Sequence, residues 1–190
     1  MKENLQVVFS EEQIRKRVLE LASDISRDYG DEAIHVVGIL GNCFIFVADL
    51  VRQLTCPVVC HFTKMEFRDT VTGTQELRSI VYDPIAGLKG KNVLLVDVLI
   101  DSGITIDHLV QQLLLKKPKT VQTAALVDRE DRRRLPFRVN YAGFSWEGGH
   151  LVGYGMEKDG LYRNLPYVAA IPTAVNATSG EGKEGGGATL

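Results

Sequence analysis

Apolar and polar positions along this chain switch between a helical and a strand period, and the switches mark its elements. Ser10-Glu11-Glu12-Gln13 is a capping box, with Ser10 as N-cap and Gln13 three residues on. Ile14, Val18, Leu21, Ala22 and Ile25 follow at helical spacing, predicting a helix that ends near Tyr29-Gly30. The apolar run Ile34 to Leu40 predicts a strand, broken by Gly41-Asn42. Phe46, Val47, Leu50, Val51 and Leu54 predict a second helix, and Pro57 to Phe62 a second strand. Residues 63–83 are mostly polar, with only Leu77 to Tyr82 strand-like, and a long polar excursion in a compact domain predicts a functional, mobile loop or hairpin. A strand then runs from Val93 to Ile100. Its helix carries Ile106, Leu109, Val110, Leu113 and Leu114 as one stripe, with Lys116 and Lys117 at its end and Pro118 as the stop. Further strands are predicted at Val121 to Val127, Val139 to Phe144, Leu151 to Gly155 and Tyr167 to Ile171.

Strand–helix–strand alternation of this kind predicts an α/β fold with a mainly parallel sheet flanked by helices. The later strands are expected as an antiparallel addition at one end. Residues 1–172 read as a single domain. Residues 173–190 are Gly-, Ser- and Glu-rich, cannot bury apolar surface, and are expected to be a disordered tail.

Composition narrows the function without naming it. The chain has 190 residues and a net charge of −2, so no global basic excess argues for nucleic acid. A weaker RNA-binding reading rests on the basic residues of 129–134 and 116–119 alone; Arg132-Arg133-Arg134 reads more simply as a solvated turn. Three cysteines, Cys43, Cys56 and Cys60, without paired metal spacing, read as reduced, buried thiols of a cytoplasmic protein. No apolar run approaches the roughly 20 residues that span a bilayer. His35, His61 and His108 have no evident partner in the sequence.

The chemistry concentrates in one stretch, Val93 to Thr105. Its apolar run turns polar at Asp101-Ser102-Gly103 and opens a helix. A strand, a Gly-containing turn and a helix N-terminus present backbone N–H groups and a favourable dipole to a phosphate. Ser102 and Thr105 add hydroxyls; Asp97 and Asp101 add carboxylates at the carboxyl end of the strand, where open α/β sheets bind ligands.

Asp101-Ser102-Gly103-Ile104-Thr105, after its apolar run, resembles the phosphoribosyl-pyrophosphate (PRPP) loop of type I phosphoribosyltransferases. Gly38-Ile39-Leu40 with the helix Phe46-Val47-Ala48-Asp49-Leu50 is similar to that family's first pyrophosphate loop. Val152-Gly153-Tyr154-Gly155 and Tyr162-Arg163-Asn164-Leu165-Pro166-Tyr167 resemble the C-terminal signature of its hypoxanthine-guanine members. The resemblance runs from about Phe9 to Ile171. It implies a twisted sheet with a small hood over its carboxyl edge. It also implies purine salvage: a 6-oxopurine, hypoxanthine or guanine, joined to PRPP to give a nucleoside 5′-monophosphate and pyrophosphate. Mg2+ and a homodimer or homotetramer are implied as well.

By the same resemblance Asp101 is the acid–base group, and Asp101, Ser102, Gly103, Ile104 and Thr105 hold the 5′-phosphate. Asp97 holds the ribose and, with Glu157, the metal. Gly41, Asn42 and Arg163 hold pyrophosphate, and Arg129, His150 and Leu151 hold the base. The chain departs from the family pattern around this pocket. Asp97-Val98 stands for Glu-Asp, Gly41-Asn42 for a Lys-containing pair, and Phe67-Arg68 for Ser-Tyr in the mobile loop. Arg129 stands for Lys, His150 for Phe or Tyr, and Glu157 for Asp. These departures leave an alternative, a non-catalytic sensor that binds PRPP or a nucleotide. Val98 reads as a lost ribose ligand, whose restoration to Asp is expected to tighten PRPP binding.

Overall fold

The computed structural model describes residues 4–72, 75–82 and 85–172, with side chains described outside 65–84. The tail expected at 173–190 lies outside the described residues, as do the side chains of Phe67 and Arg68. In chain order the elements are β1 (Gln6–Phe9), α1 (Glu11–Tyr29), β2 (Ile34–Leu40), α2 (Phe44–Val51), β3 (Val58–Thr72) and β4 (Gln75–Tyr82). There follow β5 (Asn92–Ile100), α3 (Ile104–Leu114), β6 (Thr120–Asp128), a 3-10 turn at Glu130–Arg132, β7 (Tyr141–Ser145), β8 (His150–Val152) and β9 (Val168–Ile171).

The capping box forms as expected: Gln13 N–H donates to Ser10 Oγ at 3.2 Å and Ser10 N–H to Gln13 Oε1 at 2.8 Å. The predicted apolar stripe of α1 is its buried face. α2 is shorter than predicted, and Leu54 lies beyond its end. Gly38 is what lets α2 settle on β2: a Cβ there would stand 3.0 Å from both Val47 and the Phe62 ring.

The main sheet has the order β4-β3-β2-β5-β6-β7. Five of these strands run parallel, and β4 returns antiparallel along the outer half of β3. The polar excursion is thus a hairpin whose first arm continues β3 without a break. α1 and α2 bury one sheet face around Phe46, Leu94, Val96 and Val98. α3 and the segment carrying Phe137 and Val139 bury the other around Val37, Leu95 and Leu109.

The placement of the later strands corrects the expectation of an antiparallel addition. β7 is parallel to β6, because residues 129–140 form a crossover of about the length that a parallel return requires. β8 and β9 leave the main sheet altogether and pair with β1 as a separate antiparallel sheet, order β1-β9-β8. β1 itself is four residues long and half exposed, so its sequence carries no period to detect.

Two smaller expectations also change. Cys43 and Cys56 are buried, with the Cys43 thiol pushed up to about 12 by burial, but Cys60 is exposed on β3. His35 and His61 have each other: His35 Nδ1 and His61 Nε2 are 2.9 Å apart across the β2–β3 pair.

Candidate active site

The carboxyl ends of β2 and β5 open on a cleft of about 480 Å³. Its walls are the loop after β2 (Leu40, Gly41, Asn42), the end of β5 with its turn into α3 (Asp97, Leu99 to Gly103, then Thr105), and Glu157 from the small sheet's connecting segment. A groove of similar size, about 520 Å³, lies between α1 and α2. Its Tyr154 hydroxyl donates to Asp49 at 2.6 Å and Asp49 pairs with Arg52, so those polar groups satisfy one another. The β2–β5 cleft is where polar groups converge with space before them.

Gly103 makes the turn into α3. Its φ of +81° is the left-handed region, which favours a residue without a Cβ, and it caps the helix with its backbone alone. Its carbonyl accepts from Asp107 N–H at 2.9 Å, while Ser102 Oγ accepts from Ile104 N–H at 3.4 Å. The other first-turn amides have no preceding helical carbonyl to bond, which leaves them as donors for an anion.

Asp97 stands on the cleft floor, partly buried, with Oδ1 accepting from Val98 N–H at 2.7 Å. Burial pushes its carboxyl up to about 7, against the opposing pull of the Val98 and Leu99 backbone N–H groups. Asp97 lines the cleft, and Val98, the next residue along the strand, turns to the opposite face. There Val98 is fully buried in the α1–α2 cluster. The reading of Val98 as a lost ribose ligand is therefore corrected: in this chain the position belongs to the core.

Asp101 projects between two guanidinium groups, its Oδ1 3.9 Å from Arg129 Nε and its Oδ2 4.0 Å from Arg132 Nη1. Both Asp101 Oδ1 and Arg129 Nε are buried without a hydrogen-bond partner. Arg129 is only 3% exposed, and its Nη2 donates to the Gly148 carbonyl at 2.5 Å. A buried donor and a buried acceptor left facing one another, just beyond bonding distance, are a place for a ligand's polar edge.

The far wall is cross-tied. Arg163 Nη1 donates to the carbonyls of Gly41 at 2.8 Å and Gly155 at 2.7 Å and to Asn42 Oδ1, and its Nη2 lies 3.3 Å from Glu157 Oε1. Glu157 Oε2 also accepts from Gly160 N–H. His150 is exposed, with its Nε2 3.0 Å from the Glu157 carbonyl oxygen. The side chain of Leu151 is buried in the core beside β9, outside the cleft lining, and Ile104 is 40% exposed beside the loop. Thus the cleft gathers Asp97, Asp101, Ser102, Gly103, Thr105, Gly41, Asn42 and Glu157, with Arg163 and Arg129 one contact behind them.

A family model for the phosphoribosyl transferase domain matches residues 8–157. The chain belongs to the phosphoribosyltransferase family. The hypoxanthine-guanine phosphoribosyltransferase of Aquifex aeolicus is 38% identical over 168 residues, covering 88% of this chain and 94% of the relative. The hypoxanthine phosphoribosyltransferase of Escherichia coli K12 is 32% identical over 174 residues, covering 90% and 97%. Among solved structures, a hypoxanthine-guanine phosphoribosyltransferase from Bacillus anthracis superposes with a TM-score of 0.76 at 33% identity, covering 87% of this chain and 96% of that one. The Trypanosoma cruzi hypoxanthine enzyme in complex with its product IMP gives 0.79 at 27% identity, covering 91% and 96%.

Sequence reasoning about this phosphoribosyltransferase missed Arg133 and Asp128. Arg133 is not solvated: it pairs with the buried Asp128 and donates through Nη1 to the Asp101 carbonyl at 3.2 Å. The run of three arginines offered no period to single it out. The signal within reach was Asp128 itself, a carboxylate ending a buried strand five residues before an arginine.

Proposed function

We propose that this phosphoribosyltransferase salvages purines, joining hypoxanthine or guanine to PRPP to give the nucleoside 5′-monophosphate and pyrophosphate. The observation that carries the reading is the convergence of Asp97, Asp101 and the Gly103-capped helix start on one cleft. The turn 101–105 binds the 5′-phosphate through its amides and hydroxyls, and Asp97 accepts from a ribose hydroxyl. The purine N9–C1′ bond forms as the bond from C1′ to the pyrophosphate oxygen breaks. Asp101 takes the proton from N7, beside the Arg129 guanidinium that meets the base's exocyclic oxygen. His150 and the Leu151 backbone border the base, and Arg163, Gly41 and Asn42 face the departing pyrophosphate.

Mg2+ fits the donor set. A hard cation that keeps several waters needs one or two carboxylates besides substrate oxygens, and Asp97 and Glu157 both line the cleft. Bound there, it neutralises charge on the pyrophosphate. The reading includes a cytoplasmic, homodimeric or homotetrameric protein; among the described residues no helix is long and apolar enough to cross a membrane.

The test is nucleotide formation by the full chain from PRPP with hypoxanthine, guanine or xanthine and Mg2+. IMP or GMP is expected. PRPP binding without product from any base would overturn it in favour of a sensor. The four contacts that already occupy Arg163 are the observation that keeps this second reading in view.

A further inference from the structure

Arg133 lies beneath the turn that carries Asp101, with its Nε buried and without a hydrogen-bond partner. Its side chain is 10% exposed and that of its partner Asp128 is 4% exposed. Burial pushes the Asp128 carboxyl up, and the Arg133 guanidinium pulls it back. Such a pair is costly to desolvate and weak as a stability device, so its placement points to something other than fold strength. Two further contacts of Arg133 lead to the phosphate turn. Nη1 donates to the Asp101 carbonyl at 3.2 Å. Its aliphatic stem passes so close beneath Gly103 that a Cβ there would meet Arg133 Cδ at 2.9 Å. The next residue repeats the tie, with Arg134 N–H donating to the Ser102 carbonyl at 3.0 Å. The guanidinium carbon lies 5.7 Å from the centre of the Phe137 ring, which covers it on another side.

We infer that Arg133 is a positioning residue for the transfer reaction. Clamped by Asp128, it holds the Asp101 carbonyl of the turn, while the Arg134 N–H holds that of Ser102. The turn's amides are thereby turned toward the 5′-phosphate, and the Asp101 carboxylate toward the base. A peptide unit is planar, so a carbonyl fixed from below fixes the amide on the other side of the same bond. Held by its carbonyl, the Asp101–Ser102 peptide has its N–H directed away from Arg133. Asp128 has a matching part, since it anchors the guanidinium from the end of the neighbouring strand β6, where the β5–β6 register pairs it with Ile100. The phosphate turn is in this way referred to the sheet through a side chain as well as through its own backbone.

The inference rests on the transferase reading, and the experiment separates the two failures. Wild-type protein that forms no nucleotide would sink that reading; the variants below are compared with active wild type and are also read by IMP binding. Arg133→Ala is expected to lower kcat by about 10- to 100-fold, the range in which small misplacements of reacting groups act. IMP affinity is expected to fall with it, while the KM for the base changes about twofold or less, since the base does not touch the clamp. Methylguanidinium, which fits the vacated space, is expected to restore part of kcat in Arg133→Ala and to leave wild type unaffected. Should Arg133→Ala not fold, Arg133→Lys decides: it keeps a charge over Asp128 but loses the fork that spans two acceptors, and kcat is expected to fall about 5-fold or more. Wild-type kcat and IMP affinity in whichever of these variants folds would overturn the inference, as would a rise in base KM with kcat unchanged.

Discussion

Asp101 and Asp97 are both carboxylates of one cleft, four residues apart, and their surroundings set them different tasks. Asp101 faces two guanidinium groups; Asp97 is partly buried with backbone amides for company. Asp101→Asn keeps the turn's shape and its phosphate-facing amides but cannot accept a proton. Nucleotide affinity by calorimetry is expected to stay within a few-fold while turnover falls about 10²- to 10⁴-fold, the range of general acid–base catalysis. For Asp97 the folded-state carboxyl is raised to about 7. Below the ordinary carboxylate range both folded and unfolded chains are protonated and the group costs nothing. As pH rises toward 7 the unfolded chain ionises first, so the stability present in acid is lost, and above that pH the penalty is complete. Ligand-free protein followed by thermal melting should therefore lose stability between about pH 4 and 7 through this group, and Asp97→Asn should flatten that slope and raise Tm at pH 8. Val98→Asp is expected to destabilise the fold by about 3 kcal/mol or more rather than to add a ribose ligand, because it sets a carboxyl among fully buried apolar side chains. Urea unfolding would measure the loss.

Elements place these residues, and much of that placement was legible beforehand. α1 announced itself through its capping box and stripe, β2 and β5 through apolar runs with definite ends, and α3 through its spacing after Gly103. Legibility stopped where an element's character depends on what lies across from it. β1 is too short to carry a pattern, β7's direction is decided by the crossover before it, and the His35–His61 pair exists only through the β2–β3 register. The cleft was read in the same way. Asp101 to Thr105 are contiguous and declared themselves, whereas Arg133 and Asp128 are part of the site's support only because 129–137 folds back under the turn. The connection after β8 gives a further test. Gly155 adopts φ +94°, and a Cβ there would collide with the Asn42 carbonyl. Gly155→Ala should push the 41–42 loop away from Arg163, raising the KM for PRPP about tenfold or more while leaving the base KM near its original value. Steady-state kinetics with each substrate varied in turn would show it.

For the whole molecule, the cleft is assembled from three distant parts of the chain: the loop after β2, the β5–α3 turn, and the segment between β8 and β9. The first two are fixed by the parallel sheet. The third, with Glu157 and Arg163, belongs to a small sheet whose middle strand is β9, flanked by β8 and by β1. Gln6 faces Ala170 and Val7 faces Ala169, so the opening and closing stretches of the described fold lie side by side. Synthesis on a ribosome runs from the amino end, and β1 must wait for a partner that is the last described element to emerge. The phosphate turn and the parallel sheet precede β9 in the chain, whereas the wall carrying Glu157 and Arg163 is fastened only once β9 has been made. Readiness to react is in this way timed to the synthesis of β9, and a chain stalled before β9 would hold the phosphate turn without a fastened opposite wall.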